Sequence, residues 1–241
     1  MTFVVIFDLD GTLVDTPTAI TEAFRAAFTA VGATPPAEQA VRATIGLPLE
    51  QAFAQLLGTP SGDTMLAELA TQYQFAFREI ALPRAAELVF PGVVEGLEVL
   101  HRRGFQLAIA TSKYLANAEA LLSAAGLRHH FSLVIGADLV AQAKPDPETA
   151  HAILRAFEIT ADRAVVVGDT TFDIHMANAA AIASVAVTYG VHDMACLLAA
   201  GPTWVCDNFG DVVIAVQSVH RRAIFHHKEV CHYVRYDGIF Y

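Results

Sequence analysis

The sequence predicts an α/β fold with a doubly wound, mostly parallel, Rossmann-like sheet and an inserted α-helical domain. Short runs of almost continuously apolar residues recur along the chain, and segments with helical periodicity lie between them. Continuous apolar runs are typical of strands that are buried on both faces of a parallel sheet. The alternation of strand and helix is typical of doubly wound sheets, and its one long interruption predicts the insertion.

The apolar runs each end in polar or small residues, as expected where a strand leaves a sheet. These runs cover residues 3–7, 105–110, 131–135, 164–167 and 184–188. Helical patterns cover residues 93–103, 115–125 and 147–157. Pro91 and Gly92 precede the first helix and Pro147 begins the third, while Gly104 and Gly126 follow the first and the second. Proline at a helix start and glycine just past its end support these boundaries.

The interruption lies between the first two runs and contains no convincing strand. Helical patterns there cover residues 19–31, 49–57 and 64–80, with breaks rich in glycine and proline between them. A helical insert that leaves and rejoins one sheet predicts a separate small domain. The predicted division is a core of residues 1–15 and 89–219, a helical domain of residues 16–88 and a tail of residues 220–241.

The predicted tail contains several histidines and a cysteine. A metal site is conceivable there, because His226 could converge with Cys231 or His232. A peripheral tail is the favoured interpretation, because the sheet pattern is complete before this segment begins.

The composition is that of a compact globular protein, with 54% apolar and 17% charged residues among 241. The formal net charge of −10 argues against nucleic acid or an anionic membrane as a partner. Three cysteines without a Cys-x-x-Cys pair indicate neither a disulfide framework nor a zinc site. We expect unpaired thiols and a cytoplasmic location, since no signal peptide or membrane span is recognisable.

Polar residues follow four of the apolar runs, where the strands are expected to end. Because the carboxyl ends of parallel strands meet at one edge of a sheet, these side chains should converge in one crevice. The residues are Asp8, Asp10, Gly11 and Thr12 after the first run, Thr111 and Ser112 after the second, Lys144 downstream of the third, and Asp169 and Asp173 after the fourth.

A cluster of carboxylates needs positive charge, because two of them about 4 Å apart repel by several kcal/mol in a partly buried site. Oxygen ligands without histidine or cysteine favour a hard divalent cation, so we expect Mg²⁺. The cation, Lys144, Thr111 and backbone N–H groups could then bind a phosphoryl group. Asp8 and Asp10 suit a two-step displacement, in which one acid attacks phosphorus and the other transfers protons. Gly11 would permit the tight turn after them.

These residues resemble the four ordered motifs of the haloacid dehalogenase-like superfamily, over about residues 3 to 215. The helical insert is similar to the cap of the phosphoglycolate phosphatase-like branch. The core motifs are Asp8-x-Asp10-Gly11-Thr12, Thr111-Ser112, Lys144-Pro145 and Gly168-Asp169-(x)3-Asp173, and the branch motifs are Thr44-Ile45-Gly46-Leu47-Pro48 and Phe90-Pro91-Gly92-Val93.

The resemblance implies four catalytic residues. Asp8 would be the nucleophile, and Asp10 would be the general acid and base, with its backbone carbonyl on Mg²⁺. Thr111 would hold the phosphoryl oxygens together with the N–H group of Ser112. Lys144 would bridge the phosphate and the charge of the nucleophile.

The resemblance also implies the other members of the site. Asp173 would lie close to the metal or act through water, although an acid at this position can also cap the next helix. Apart from the resemblance, Lys113 and Arg42 could reach the substrate, but the favoured interpretation is that both are solvated surface residues. The metal ligands would be Asp8, Asp10, Asp169 and Asp173, and the phosphate-binding residues would be Gly11, Thr12 and Ser112.

The predicted function is a Mg²⁺-dependent phosphatase that hydrolyses a small phosphorylated metabolite, a phosphoglycolate-like or related phosphomonoester, through an aspartyl-phosphate. Dehalogenase members lack an acid at the position of Asp10, and residues 16–88 contain no lysine for the Schiff base of a phosphonatase. A sugar phosphomutase or a pyrophosphatase on the same scaffold stays open, as does a non-catalytic phosphate-binding protein. Monomer and homodimer are both open. Closure of the cap about Thr16 and residues 88–91 is expected to exclude water.

Overall fold

The computed structural model describes residues 2–60 and 64–225, and its centre is a six-stranded sheet. The strands are β1 (Val4–Phe7), β2 (Gln106–Ala110), β3 (Leu133–Ile135), β4 (Ala164–Gly168), β5 (Ala183–Val187) and β6 (Trp204–Cys206). They lie in the order β3-β2-β1-β4-β5-β6, and every neighbouring pair is parallel. This order confirms the predicted α/β fold, and the described sheet is wholly parallel where a mostly parallel one was expected.

Strand β6 was not predicted from the sequence. It has three residues at the edge of the sheet, where Trp204 and Val205 are only partly buried. An edge strand is covered less completely than a central strand, so its apolar run is too short to stand out. The five predicted strands all occur, with bounds that differ from the predicted ones by one or two residues.

Helices surround the sheet and also form the insert between β1 and β2. They are α1 (Pro17–Ala30), α2 (Glu38–Arg42), α3 (Leu49–Leu57), α4 (Thr64–Ala81), α5 (Val93–Arg102), α6 (Leu115–Ala124), α7 (Glu148–Ala156), α8 (Thr171–Ala179), α9 (Met194–Ala199) and α10 (Phe209–Phe225). In the described part of the chain, none of them is long and apolar enough to cross a membrane.

Alternate residues of each central strand face opposite sides of the sheet and join two separate hydrophobic cores. On β1, Val5 and Phe7 pack in the core that includes α5, α6 and α10. Val4 and Ile6 pack in the core that includes α7 and α8. All four side chains are fully buried, which explains why the strand is apolar at every position.

Helices α1–α4 form the helical insert, and its core is aromatic. The ring of Phe24 in α1 lies 4.7 Å from that of Phe53 in α3 and 4.9 Å from that of Tyr73 in α4, measured between centroids. The three predicted helices occur as α1, α3 and α4. Helix α2 was missed because its five residues are too few to show a period.

The two ends of the helical insert lie side by side, beyond the carboxyl end of the central strand β1. The backbone N–H of Asp15 donates to the carbonyl of Leu88 at 2.7 Å, and that of Phe90 donates to Leu13 at 3.1 Å. The predicted hinge residue Thr16 precedes α1 directly. A pair of adjacent connections is the geometry that a hinge between the sheet and the insert requires.

The C-terminal helix α10 continues past the predicted start of the tail. The ring of His220 contacts Phe3 and Phe105 edge-on, at centroid distances of 4.9 and 5.0 Å. Residues 220–225 therefore belong to a helix that packs on the core, which corrects the predicted boundary at residue 220. The histidines and the cysteine of the conceivable tail metal site, at positions 226, 231 and 232, lie outside the described residues.

Candidate active site

The centre of the site is Lys144, whose ammonium group joins three segments of the core. Lys144 Nζ donates to Asp8 Oδ1 at 2.6 Å, to Asp173 Oδ1 at 2.6 Å and to the carbonyl of Ala110 at 3.1 Å. Asp8 follows β1 directly, and its N–H donates to the carbonyl of Val167 in β4. The lysine and both acids are buried, so these ion pairs are sheltered from solvent.

Asp173 serves two purposes with its two carboxylate oxygens. Oδ1 accepts from Lys144, while Oδ2 accepts from the backbone N–H of Thr170 at 3.1 Å and from its hydroxyl at 2.7 Å. Those bonds to Thr170 cap the start of α8, as the alternative interpretation of Asp173 expected. Asp173 therefore stabilises the N-terminus of α8 and also belongs to the acidic cluster.

Asp169 is held by groups on opposite sides of its carboxylate. Oδ1 accepts from the hydroxyl of Thr12 at 2.7 Å, and Oδ2 accepts from the N–H of Val191 at 2.8 Å. Thr12 was predicted to bind phosphate, but its side chain is fully buried and its hydroxyl is bonded to Asp169. The Thr12 hydroxyl thus holds the Asp169 carboxylate, and Thr12 is not among the residues that line the cavity beside Asp8 and Asp10.

Two glycines make room for the Asp169 carboxylate. A Cβ atom on Gly11 would lie 2.2 Å from Asp169 Oδ2, and one on Gly190 would lie 2.3 Å from it. Gly11 also has a φ of 85°, a conformation that side chains other than glycine rarely adopt. The predicted need for glycine at position 11 therefore has a second cause, which is the close approach of Asp169.

The three acids Asp8, Asp169 and Asp173 form one buried cluster. Each offers an oxygen atom, and these atoms all lie within 4.8 Å of one another. With all three ionised and Lys144 charged, the cluster carries a net charge of −2 from three carboxylates and one ammonium. A divalent cation would neutralise this charge, and an all-oxygen donor set suits a hard ion such as Mg²⁺. The carboxylate of Asp10 is not one of the three.

The pKa values in the cluster reflect its burial and the charges of its neighbouring groups. Desolvation raises the pKa of Asp8 to about 7 against the opposing effect of Lys144, and the charge of Asp173 adds to the increase. Desolvation and the charges of Asp8 and Asp173 also raise the pKa of Asp169. For Lys144, burial lowers the pKa, but Asp173 and Asp8 outweigh that effect and raise it overall. A cation bound among these buried carboxylates would offset their mutual repulsion.

Asp10 is held by a second lysine, Lys113, and the interpretation of this lysine as a solvated surface residue was wrong. Lys113 Nζ donates to Asp10 Oδ1 at 3.0 Å and to Oδ2 at 2.9 Å, and the Thr16 hydroxyl donates to Oδ1 at 2.6 Å. The Lys113 side chain is only 8% exposed and lies 4.0 Å from the ring centroid of Phe77. Lys113 is therefore not a solvated surface residue, and its place directly after Thr111 and Ser112 was the signal for this role.

Arg42 remains on the surface, as expected. Its guanidinium lies 3.7 Å from Glu38 one helical turn earlier, and its side chain is 43% exposed. Arg42 also does not line the cavity that lies between the core and the helical insert.

Asp8 and Asp10 line one cavity between the sheet edge and the helical insert. The cavity has a volume of about 60 Å³, and Thr111, Ser112 and Lys113 line its core side. The two acids of the first motif thus face a common space, and neither is turned away from its lysine. A phosphoryl group in this cavity would have Asp8, Asp10 and Thr111 in its surroundings.

Hydrogen bonds join the helical insert to the core around this cavity. The hydroxyl of Ser112 donates to the carbonyl of Gly46 at 2.6 Å, and Arg78 Nε donates to Asn117 Oδ1 at 2.9 Å. The hydroxyl of Tyr114 also bonds to Glu50. These contacts hold the insert over the site.

The family model of the haloacid dehalogenase-like hydrolases matches residues 5–187 of this chain. The chain belongs to this family. That stretch includes every site residue predicted from the sequence, and also Lys113 and the helical insert, whereas Gly190 and Val191 beside Asp169 follow it.

Named relatives place this hydrolase near the phosphatases of the family. It is 49% identical over 215 residues to the "Probable phosphatase IndB" of Dickeya dadantii, covering 89% of this chain and 94% of the relative. It is 34% identical over 197 residues to the phosphoglycolate phosphatase of Mesorhizobium japonicum, covering 79% and 84%. These matches confirm the predicted resemblance to the phosphoglycolate phosphatase-like branch.

A solved structure shows the same fold. A haloacid dehalogenase-like hydrolase of Bacteroides fragilis superposes with a TM-score of 0.79 at 25% sequence identity, covering 88% of this chain and all of that one. The α/β core with its helical insert is thus an architecture of the family.

Proposed function

We propose that this hydrolase is a Mg²⁺-dependent phosphatase that acts on a small phosphorylated metabolite through an aspartyl-phosphate on Asp8. The single observation that carries the proposal is the placement of Lys144 between Asp8 and Asp173, beside Asp169. This arrangement supports the proposal because it would keep a nucleophilic carboxylate, a fixed ammonium and a site for a divalent cation in one buried place. The phosphatase names of its relatives support the same reaction class.

Asp8, Asp169 and Asp173 would hold the cation, with the carbonyl of Asp10. When bound, it would offset the charges of phosphate and carboxylates so that an anionic nucleophile can approach an anionic phosphoryl group. Lys144 would assist by binding Asp8 and a phosphoryl oxygen, and Thr111 with the N–H of Ser112 would bind further oxygens.

The proposed reaction has two displacements at phosphorus. In the first, a carboxylate oxygen of Asp8 forms a bond to phosphorus, the bond to the leaving oxygen breaks, and Asp10 gives that oxygen its proton. In the second, a water oxygen attacks phosphorus and gives a proton to Asp10, and the bond to Asp8 breaks to release phosphate. Lys113 and Thr16 hold the Asp10 carboxylate at the cavity throughout.

The experiment is phosphate release from p-nitrophenyl phosphate by the purified chain. We expect turnover that needs Mg²⁺, that stops with a chelator and returns with added Mg²⁺, and that is lost in Asp8→Asn. A wild-type chain that binds phosphate but turns over no ester of a broad panel would instead be a binding protein. Conversion of a hexose 1-phosphate to its 6-phosphate isomer would instead identify a mutase.

A further inference from the structure

The cavity over Asp8 has two walls of opposite character. The core supplies the polar wall described above. The helical insert supplies an apolar wall, formed mainly by Ile20, Phe24, Ile45, Leu47, Leu49 and Tyr73. A phosphoryl group belongs at the polar wall, so the leaving group of a substrate must face the apolar one.

The few polar groups of the apolar wall are neutral. Desolvation, and next the charge of Asp10, raises the pKa of Tyr73, so its hydroxyl stays protonated. The hydroxyl of Thr44 donates to the carbonyl of Val41 at 2.7 Å within the insert. Neither group offers a positive charge to a ligand.

The cations near the cavity are already engaged. Lys113 is bonded to both oxygens of Asp10, and Lys144 to Asp8 and Asp173. Arg78 donates to Asn117 and does not line the cavity. Among the cavity-lining residues that the structure describes, the helical insert contributes no lysine or arginine. A second anionic group on the leaving group would therefore be desolvated against apolar side chains without a partner, which is strongly unfavourable.

We propose that the substrates are phosphomonoesters whose leaving group carries no second anion and presents an apolar face to the helical insert. The inference rests on the proposed phosphatase function and narrows its substrate class. It excludes as preferred substrates the esters that carry a carboxylate or a further phosphate close to the scissile bond.

The test compares two esters of nearly equal shape, isobutyl phosphate and phosphoglycolate, in which two methyl groups replace the two carboxylate oxygens. With the wild-type enzyme and Mg²⁺, we expect kcat/KM to be at least about tenfold higher for isobutyl phosphate, which corresponds to about 1.4 kcal/mol. Equal or faster turnover of phosphoglycolate overturns this inference and leaves the phosphatase function standing. Turnover of neither ester, nor of p-nitrophenyl phosphate, overturns the proposed function itself.

A variant with a positive charge on the apolar wall tests the same preference by comparing the two esters in the wild type and in the variant. Leu49→Lys places a cation at the wall and should shift the ratio of kcat/KM values towards phosphoglycolate by about tenfold. The control is Phe75→Lys, because Phe75 is 67% exposed on the same insert and does not line the cavity. Leu47→Lys, in the loop before α3, repeats the test should Leu49→Lys not fold. A ratio unchanged from the control in the folded variants contradicts the proposal.

Discussion

Lys113 Nζ donates to both carboxylate oxygens of Asp10, at 3.0 and 2.9 Å, and so fixes an acid that lines the cavity under the helical insert. The lysine is itself held by the ring of Phe77 in the helical insert, 4.0 Å from its ammonium group. A residue of the core and a residue of the insert thus cooperate in placing Asp10. If Asp10 transfers the proton as proposed, that step should therefore be sensitive to the position of the insert.

The first prediction concerns Lys113→Met, which removes the ammonium group but keeps an unbranched side chain. We expect a fall in kcat of about 100-fold for an alkyl phosphate, because its poor leaving group needs a well-placed proton donor. The loss should be much smaller for p-nitrophenyl phosphate, whose leaving group departs without a proton. Steady-state kinetics on the two esters measures the difference, and an equal loss on both would show that Lys113 does not act through Asp10.

The second prediction concerns Thr12→Val, which removes the hydroxyl that donates to Asp169 Oδ1 at 2.7 Å. A looser Asp169 should raise the Mg²⁺ concentration needed for half-maximal activity by about tenfold. The rate at saturating Mg²⁺ should change less. Thr71→Val is the matched control, because its exposed hydroxyl bonds only to the carbonyl of Ala67. An unchanged Mg²⁺ requirement in Thr12→Val would contradict the assigned role.

The third prediction is that alanine substitutions at two glycines with left-handed backbone, Gly11 and Gly32, have different effects on activity. Gly11 and Gly32 have φ values of 85° and 73°, but only at Gly11 would a Cβ meet another atom within 4 Å. Gly32→Ala should lower the free energy of unfolding by about 1 kcal/mol through backbone strain and keep its activity.

Gly11→Ala should also displace the Asp169 carboxylate and abolish Mg²⁺-dependent turnover. Thermal unfolding and phosphate release measure the two effects. Full activity in Gly11→Ala would mean that the close approach of Asp169 is not required.

The fourth prediction concerns Ser112→Ala, which removes the hydroxyl bond between the core and Gly46 of the insert. Such a bond contributes about 1 kcal/mol, so we expect a fall in kcat/KM of about fivefold as the closed arrangement loses stability. Ser132→Ala is the control, because its hydroxyl bonds to Gln106 on the exposed surface of the core. Small-angle scattering should show a more open average shape for Ser112→Ala, and identical scattering and kinetics would argue against closure of the insert.

The sheet, the three acids of the cluster and Lys144 could be predicted from the sequence for one physical reason. A parallel sheet buried on both faces needs apolar strands, and it gathers whatever follows those strands at one edge. Asp8, Lys144, Asp169 and Asp173 meet there as expected. Strand β6 was not predicted, because an edge strand of three residues needs only a short apolar segment.

The contacts made across long sequence distances were not predictable. The sequence does not show that the Thr12 hydroxyl turns towards Asp169, because that depends on how the loop after β1 lies against β4. The interpretation of Lys113 was wrong because charged side chains are mostly exposed, whereas its ammonium group is paired with Asp10 and lies over the ring of Phe77 in the insert. The apolar wall likewise arises from residues of several helices and loops that come together only in the fold.

The most direct test of the account is to look for a phosphoryl group on Asp8 during turnover. Enzyme mixed with p-nitrophenyl phosphate and Mg²⁺ is quenched in acid, digested and analysed by mass spectrometry. We expect a phosphorylated peptide that contains Asp8, formed in the wild type and absent from Asp8→Asn. Sustained phosphate release with no phosphoryl group on Asp8, or undiminished activity of Asp8→Asn, would contradict it.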